Sequence, residues 1–400
     1  MRRLFISLLF AGASIVGATA QKGQIPHVVP LNTHKNVAKR TEIILPQVNG
    51  YNVYKADFHV HTSYSDALVT PSGRVTEAWY DGLDIVAITD HYEGTTGIRR
   101  ALKIAAPING GKPFEYKYTR ELGKACADFN AIHKEAVMRA KKGGFPMLIV
   151  KGCEMGREPK EFGHFNCLFV KDLNNLYDED LFVALRNVKN QGGIVIHNHP
   201  AYRRPKGTTE KTESHKRLYA EGLIDGVECA NGLKFYPQMV RRCLEEKLTM
   251  FGNTDEHLLT SYRFGVNTCF RTMTLVFAKE LTENAVKEAL LEDRTLVYVG
   301  DNLVGEETLL KDFLNAAVTC KLVKENARPG NRIFVLTNLS SLTYDLRIGK
   351  TIYKLEPFKS TTVTLGKNKK TGKYIAPKFV IENMWVADYK HPSIELTLDK

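Results

Sequence analysis

From Tyr51 onward, apolar runs of strand length alternate with helical stretches, and most runs end in polar or charged residues. The first run carries Asp57-Phe58-His59-Val60-His61. Side chains alternate along a strand, so His59 and His61 point one way and Val60 the other. Thr70-Pro71 reads as an N-cap with proline at the first helical position, and Gly82 stops that helix. Further runs are expected at Ile85 to Ile88, ending in Thr89-Asp90-His91, and at Met147 to Val150, ending in Cys153-Glu154. A fourth lies around His164 to Val170, and a fifth at Ile194 to Ile196 ends in His197-Asn198-His199-Pro200. The sixth, Gly226 to Ala230, ends in Asn231-Gly232, and the seventh, Leu248 to Gly252, ends in Asn253-Thr254-Asp255-Glu256-His257. Helices are expected between Tyr116 and Lys142, at Leu181 to Lys189 and at Glu283 to Leu291. Strands at Met273 to Ala278 and Thr295 to Val299 flank the last of these.

Such alternation implies parallel pairing through right-handed crossovers. About seven units of this size favour a closed barrel, with an open doubly wound sheet as the alternative. In a barrel the strand ends converge on one face, and active sites are built there. His164 is the exception, because it stands at the start of its strand. From about Val304 the period changes to two, as in Leu342, Tyr344, Leu346 and Ile348, with turn residues between the runs. That pattern predicts an antiparallel β-sandwich domain. Its expected role is structural or positioning, with carbohydrate or partner binding as the alternative.

The N-terminus adds a leader to this plan. Arg2 and Arg3 precede an apolar run from Leu4 to about Val16, and Ala18-Thr19-Ala20 follows. This is the pattern of a signal peptide cut after Ala20, and it implies an exported protein, periplasmic or secreted. The expected organisation is a signal peptide at 1–20, an extended segment at 21–50, a catalytic barrel at 51–303 and the β domain at 304–400. No later stretch is long and apolar enough to predict a membrane span.

Composition changes little. The 400 residues carry a formal net charge of +12, which suits an anionic substrate or a solvated basic surface. No arginine-rich or aromatic-interleaved run argues for a nucleic-acid partner. The seven cysteines show no CxxC spacing, and several fall in apolar runs, so they read as small buried hydrophobes rather than a disulfide framework.

The candidate chemistry lies at the strand ends. His59, His61, Asp66, His91, Glu154, His164, His199, Asp255 and His257 are six histidines and three carboxylates. Four or five would saturate one ion, so the set implies two or three. Nitrogen and oxygen donors without thiolates suit Zn²⁺, Mn²⁺ or Fe²⁺. Taken one at a time, each has a plainer reading; His164, for example, is also what an ordinary hydrogen-bonded histidine looks like. Asp90 and Glu93 are expected to orient neighbours or face solvent, and His133 and His215 to lie on helix surfaces. Arg203 and Arg204 follow His199-Pro200 and suit phosphate binding, or simply form a basic surface loop with Lys206 and Lys211.

The ordered motifs D-F-H-V-H-T-S-Y-S-D, I-T-D-H, G-C-E, G-H-F-N, H-N-H-P and G-N-T-D-E-H resemble the PHP (polymerase and histidinol phosphatase) superfamily over roughly residues 50 to 300. The leader, the W-Y-D-G-L-D-I-V-A-I-T-D-H block, R-T-M-T-L-V-F-A-K-E and the β-rich tail also resemble the secreted Sb-PDE-type phosphodiesterase branch. The resemblance implies a distorted (β/α)7 barrel and a trinuclear centre. His59, His61, Glu154 and Asp255 would hold one metal; Glu154, His164 and His199 a second; Asp66, His91 and His257 a third. It implies a phosphodiesterase acting through a metal-bridging hydroxide, with His257 or His197 supplying a proton to the leaving group. The alternatives are a phosphomonoesterase or nucleotidase on the same site, or a non-catalytic, metal-stabilised binding protein.

Overall fold

The computed structural model describes residues 39–93, 127–156, 163–202, 204, 207–265, 269–325, 328, 330–368 and 370–399. The leader expected at 1–20, most of the extended segment and the first half of the helix expected from Tyr116 lie outside them.

One large sheet organises the N-terminal two thirds. Strands β1 (Asn52–Val60), β2 (Ile85–Ile88) and β3 (Leu148–Gly156) pair in parallel. Helix α1 (Pro71–Tyr80) crosses from β1 to β2; the Thr70 hydroxyl caps it by accepting from Gly73 N–H. Helix α2 (Phe129–Gly143) precedes β3 and ends on Gly144, which takes the left-handed conformation that glycine adopts freely. Strand β4 (His164–Leu168) departs from the expected repeat, because it runs antiparallel to both β3 and β5 (Ile194–His197). The pairing is therefore not a pure parallel βα succession. The reversal also explains His164: the start of an antiparallel strand lies on the same face as the ends of its neighbours.

Helix α3 (Leu181–Asn190) leads into β5, and α4 (Glu213–Ala220) into β6 (Gly226–Asn231), which pairs in parallel with β5. The short β7 (Lys234–Phe235) folds back on β6, and α5 (Pro237–Glu246) leads to β8 (Thr249–Asn253), parallel to β6. The end of β8 then meets the end of β1. Asp255 N–H donates to the His59 carbonyl at 2.8 Å, and His61 N–H to the Glu256 carbonyl at 3.1 Å. This return curls the sheet so that the ends of β1 and β8 lie side by side.

A buried ion pair fastens the junction. Asp57 accepts from His59 N–H (3.1 Å), Thr254 N–H (3.2 Å), the Thr254 hydroxyl (2.5 Å) and Arg271 Nη2 (2.6 Å). Arg271 is itself buried and also reaches Asp81 at 3.0 Å. Arg74, buried on α1, donates to the carbonyls of His61, Glu256 and Leu258, and so binds the loops after β1 and β8 to one helix.

Beyond a short helix α6 (Thr260–Phe264), β9 (Met273–Ala278) pairs antiparallel with β1 and extends the sheet through β10 (Thr295–Val299) and β11 (Asn302–Val304); helix α7 (Glu283–Leu291) links β9 to β10. An amphipathic helix α8 (Glu307–Ala317) follows, at a point where the sequence pattern suggested only strands. The C-terminal region then forms two antiparallel sheets, of three strands (318–325, 332–338, 360–365) and four (344–348, 351–355, 378–381, 393–395). Between the last two of these strands, Met384–Trp385 leaves the region to pair in parallel with β11, so the tail completes the large sheet. One hydrophobic cluster runs through both parts, from Val75 and Phe277 to Leu336 and Tyr344. Six cysteines are free thiols, five of them buried; Cys126 lies outside the described residues. No helix among the described residues is long and apolar enough to cross a membrane.

Replacing Arg271 with alanine would leave Asp57 charged and buried without its cation. The expected cost is on the order of 3 kcal/mol of unfolding free energy in the metal-free protein. Chemical denaturation checks it, and a loss below about 1 kcal/mol would be a surface-pair value and would contradict the assigned role.

Candidate metal centre

The strand ends bring all nine expected ligands into one place. Four overlapping groups of donor atoms lie close enough to hold ions: His61, Asp66, His91 and His257; His59, His199 and Asp255; His59, His61 and Glu154; His91, Glu154 and His164. Glu154, fully buried at the end of β3, stands at the centre. Its Oε1 lies 3.2 Å from His59 Nε2, 3.2 Å from His164 Nδ1 and 3.4 Å from His199 Nε2, while Oε2 lies 2.6 Å from His91 Nδ1. One carboxylate therefore faces two sides of the cluster.

The donor spacing fits a metal. His59 Nε2 is 3.1 Å from His61 Nε2 and 3.3 Å from Asp255 Oδ1, and His61 Nε2 is 3.2 Å from that same oxygen. Ligand atoms about 2.0 Å from a tetrahedral ion lie about 3.3 Å from one another, so these are the edge lengths such an ion imposes. Asp66 Oδ1 and Glu154 Oε2 are buried without a directed hydrogen bond, although imidazole nitrogens surround them. Two imidazole nitrogens face to face, and carboxylate oxygens that hydrogen bonds leave unsatisfied, are what a shared cation would resolve.

The ring orientations have local causes. Glu228 Oε1 accepts from His59 Nδ1 at 2.8 Å, which turns His59 Nε2 toward the cluster, where its lone pair is free once that nitrogen loses its proton. Glu228 is fully buried and also accepts from His199 N–H (2.7 Å), Asn231 Nδ2 (2.9 Å) and Asn253 Nδ2 (3.0 Å). Sequence reasoning missed it, because it sits inside β6 rather than at its end; its place on the inward face of a strand was the available signal. Asn198, at the end of β5, was missed because the histidines on either side of it drew the assignment. Its amide donates to Glu154 Oε1 at 2.8 Å and to Asn166 Oδ1 at 2.9 Å. Asp90 is fully buried and orients a loop. It accepts from Thr62 N–H at 2.6 Å, from the Thr62 hydroxyl and from Ser65, and so shapes the turn that presents Asp66. His257 Nδ1 donates to the Asp255 carbonyl at 2.9 Å and turns Nε2 toward Asp66 Oδ1 at 3.1 Å.

His197 is elsewhere. On β5 it points away from Asn198, and its Nδ1 meets the Tyr219 hydroxyl at 2.8 Å while its ring lies 4.6 Å from that of His215. His215 is buried rather than on the helix surface, and it forms the capping box of α4 with Thr212. The expected proton donor at 197 thus belongs to a buried pair outside the four donor groups. Arg204 Nη2 donates to the Glu210 carbonyl at 3.0 Å within its own loop, and Arg203 lies outside the described residues. Arg263, on α6, pairs with Glu256 at 3.0 Å and lies against Gly232 at the end of β6.

The electrostatics are those of a site built around positive charge. Burial pushes the His59 imidazole down, but Asp255, Glu228 and Glu154 together hold it well above its ordinary value. Burial likewise opposes the charge on His91, and Glu154 and Asp66 overcome it. Burial raises Glu154, yet His164, His91 and His59 hold it well below the usual carboxylate range. His61 is the counter-case: burial, with His257 and His91 beside it, brings it down to about 3.

The comparisons with known proteins agree with this geometry. The PHP domain model matches residues 57–254. A two-domain protein from Bacteroides vulgatus that contains a predicted PHP-like metal-dependent phosphoesterase is 31% identical, with 90% of this chain and 99% of that one covered and a TM-score of 0.77. The chain belongs to the PHP family. More distant likenesses carry no argument. They include a protein from Bifidobacterium adolescentis assigned as a metal-dependent phosphoesterase (15% identity, 59% of this chain and 96% of that one, TM-score 0.38) and an amidohydrolase from Chromobacterium violaceum (13%, 53% and 90%, TM-score 0.33). No curated protein matches. For this PHP protein the first relative spans both parts of the chain, so the β-rich tail belongs to the shared architecture.

Two outcomes follow from the ring geometry. Glu228→Gln should keep the fold but weaken divalent-metal affinity about 10- to 100-fold by equilibrium dialysis, as for other residues that orient a metal-binding histidine; unchanged affinity would remove that role. The second concerns protons. A raised imidazole stabilises the metal-free protein below the ordinary value of 6.5, and that contribution fades as pH rises through its higher folded value. Metal binding needs the lone pair instead, so loading at pH 7 should release protons from His59 and His91. Calorimetry in buffers of different ionisation enthalpy reads this release, and equal apparent heats would contradict it.

Proposed function

We propose that this protein is an exported metal-dependent phosphodiesterase, near the secreted Sb-PDE-type branch, with the barrel at 51–303 as its catalytic part and the β domain at 304–400 as support. The observation that carries the reading is Glu154, whose Oε1 lies 3.2 Å from both His59 and His164, histidines expected to serve two different ions. A bridging carboxylate of this kind suits two or three adjacent ions. His59, His61, Glu154 and Asp255 would hold one, Glu154, His164 and His199 a second, and Asp66, His91 and His257 a third. Mn²⁺, Zn²⁺ or Fe²⁺ suits the nitrogen–oxygen donor set. Ions bound there supply a nucleophile from water at neutral pH and offset charge on phosphoryl oxygens.

The chain's own residues do the remaining work. Asn198 and Glu228 hold Glu154, His59 and His199 in place, so little reorganisation is needed when substrate binds. His257 is the proposed proton donor to the leaving oxygen in the form of the site that holds only the first two ions. Its Nδ1–H is committed to the Asp255 carbonyl, which leaves Nε2, part exposed at the mouth, as the atom that carries a proton or a metal. Burial lowers this imidazole, but Asp66 and Asp255 bring it above its ordinary value in the metal-free protein. Arg204 keeps donors beyond the Nη2 that holds the Glu210 carbonyl, and Arg263 on α6 is a second cation, paired with Glu256.

A chromogenic phosphodiester should be cleaved with Mn²⁺ or Zn²⁺, and a chelator should abolish the reaction. His59→Ala or Asp255→Ala should lower the rate by more than about 100-fold, beyond the loss expected for an outer residue. Full activity in either variant would remove the metal assignment. Matched diester and monoester substrates separate the readings: faster diester turnover supports this one, and the reverse a phosphomonoesterase or nucleotidase. No hydrolysis of any phosphoester, with under one metal per chain, would favour a binding protein. A mature N-terminus at Gln21 in the exported fraction would support the leader.

A further inference from the structure

The loops that leave the ligand-bearing strand ends carry exposed apolar side chains. Leu68, Tyr202, Leu233, Leu258, Leu259 and Tyr262 each keep between 40% and 78% of their surface exposed. They follow Asp66, His199, Asn231 and His257 within a few residues. Three of these segments touch one another: Leu68 N–H donates to the His257 carbonyl, Arg74 grips the Leu258 carbonyl, and Arg263 on α6 lies against Gly232 beside Leu233. Apolar exposure grouped in this way marks a binding surface more often than scattered single residues do.

Tyr202 is the member joined to the metal ligands. Its ring centroid lies 4.9 Å from that of His199, at 63°, and 6.1 Å from that of His164. Its N–H donates to the His199 carbonyl at 2.7 Å and closes a tight turn over Pro200. His199 itself has φ of +26°, a conformation that a non-glycine residue keeps only when its surroundings hold it there. The ring is thus fixed to the ligand it adjoins, while 46% of the residue stays open to solvent. Tyr202 therefore adjoins two of the ligands proposed for the second ion, His199 and His164.

We propose that Tyr202 is the platform on which a planar aromatic group, esterified to the phosphate, stacks, and that this contact selects aromatic phosphoesters over alkyl ones. The proposal rests on the phosphoesterase reading above. An alkyl group gains only burial. A planar ring gains in addition the offset or edge-on arrangement that aromatic pairs favour. Tyrosine loses little conformational freedom in making that contact. The aromatic group is either a nucleobase or a phenolic ester.

The test uses the metal-loaded full chain and three phosphonates that it cannot hydrolyse, bound in a calorimeter: methylphosphonate, phenylphosphonate and a uridine 5′-phosphonate. The wild type should bind phenylphosphonate or the nucleoside analogue about tenfold more tightly than methylphosphonate. Whichever is tighter identifies the aromatic group as phenolic or as a nucleobase. The ratio should fall toward one in Tyr202→Ala and persist in Tyr202→Phe, with metal content measured in each. A ratio near one in the wild type, or an unchanged ratio in Tyr202→Ala, overturns the platform and leaves the phosphoesterase reading standing. Failure of all three to bind the loaded protein overturns both.

Discussion

Asp57 holds the centre together. This one buried carboxylate accepts from the start of the His59 peptide, from both donors of Thr254 and from Arg271. It therefore fastens the end of β1 to the end of β8, strands about 200 residues apart in sequence that bear His59, His61 and Asp255. Without that fastening, donors from the two strands would have no reason to stand 3.2 Å apart. Everything else at the site builds on this junction: Arg74 grips the same two loops from below, and Glu256 takes the His61 N–H.

A junction of this kind has an electrostatic cost. Buried imidazoles and carboxylates repel, or pair wrongly, unless each is held in one orientation. The chain meets this by giving the outer edges of key rings a fixed partner: Glu228 for His59, the Asp255 carbonyl for His257. The inner edges are left facing one another. Protons can satisfy them only in part, because His61 resists protonation while its neighbours favour it. The arrangement is more complete with cations than without them, and this couples metal content to pH.

Much of this was legible in the sequence, for a physical reason. Polar residues at the ends of apolar runs stand out against their surroundings, so all nine candidate ligands could be read from one chain. His164 looked anomalous only because strand direction is not written in composition; β4 runs backward, and its first residue reaches the common face. The supporting residues were not legible. Glu228 lies in mid-strand, marked only by the alternation that turns it inward, Asn198 is hidden between two histidines, and Arg74 reads as an ordinary charge on an amphipathic helix. His197 and His215 looked like a strand-end candidate and a surface residue; they form a buried pair with Tyr219 nearby. Helix α8 and the return of Met384–Trp385 depend on contacts far apart in the chain, which local periodicity does not encode.

That return bears on how the two parts of the chain can be inherited or cut. A boundary at residue 304 looks natural by pattern, yet the strand that covers β11 comes from beyond it. A chain cut there would carry an uncovered sheet edge with unpaired backbone groups, the kind of surface that recruits a second chain in register. It would also lose part of a continuous hydrophobic cluster. The β-rich tail is therefore tied to the large sheet by a strand of its own as well as by shared apolar packing.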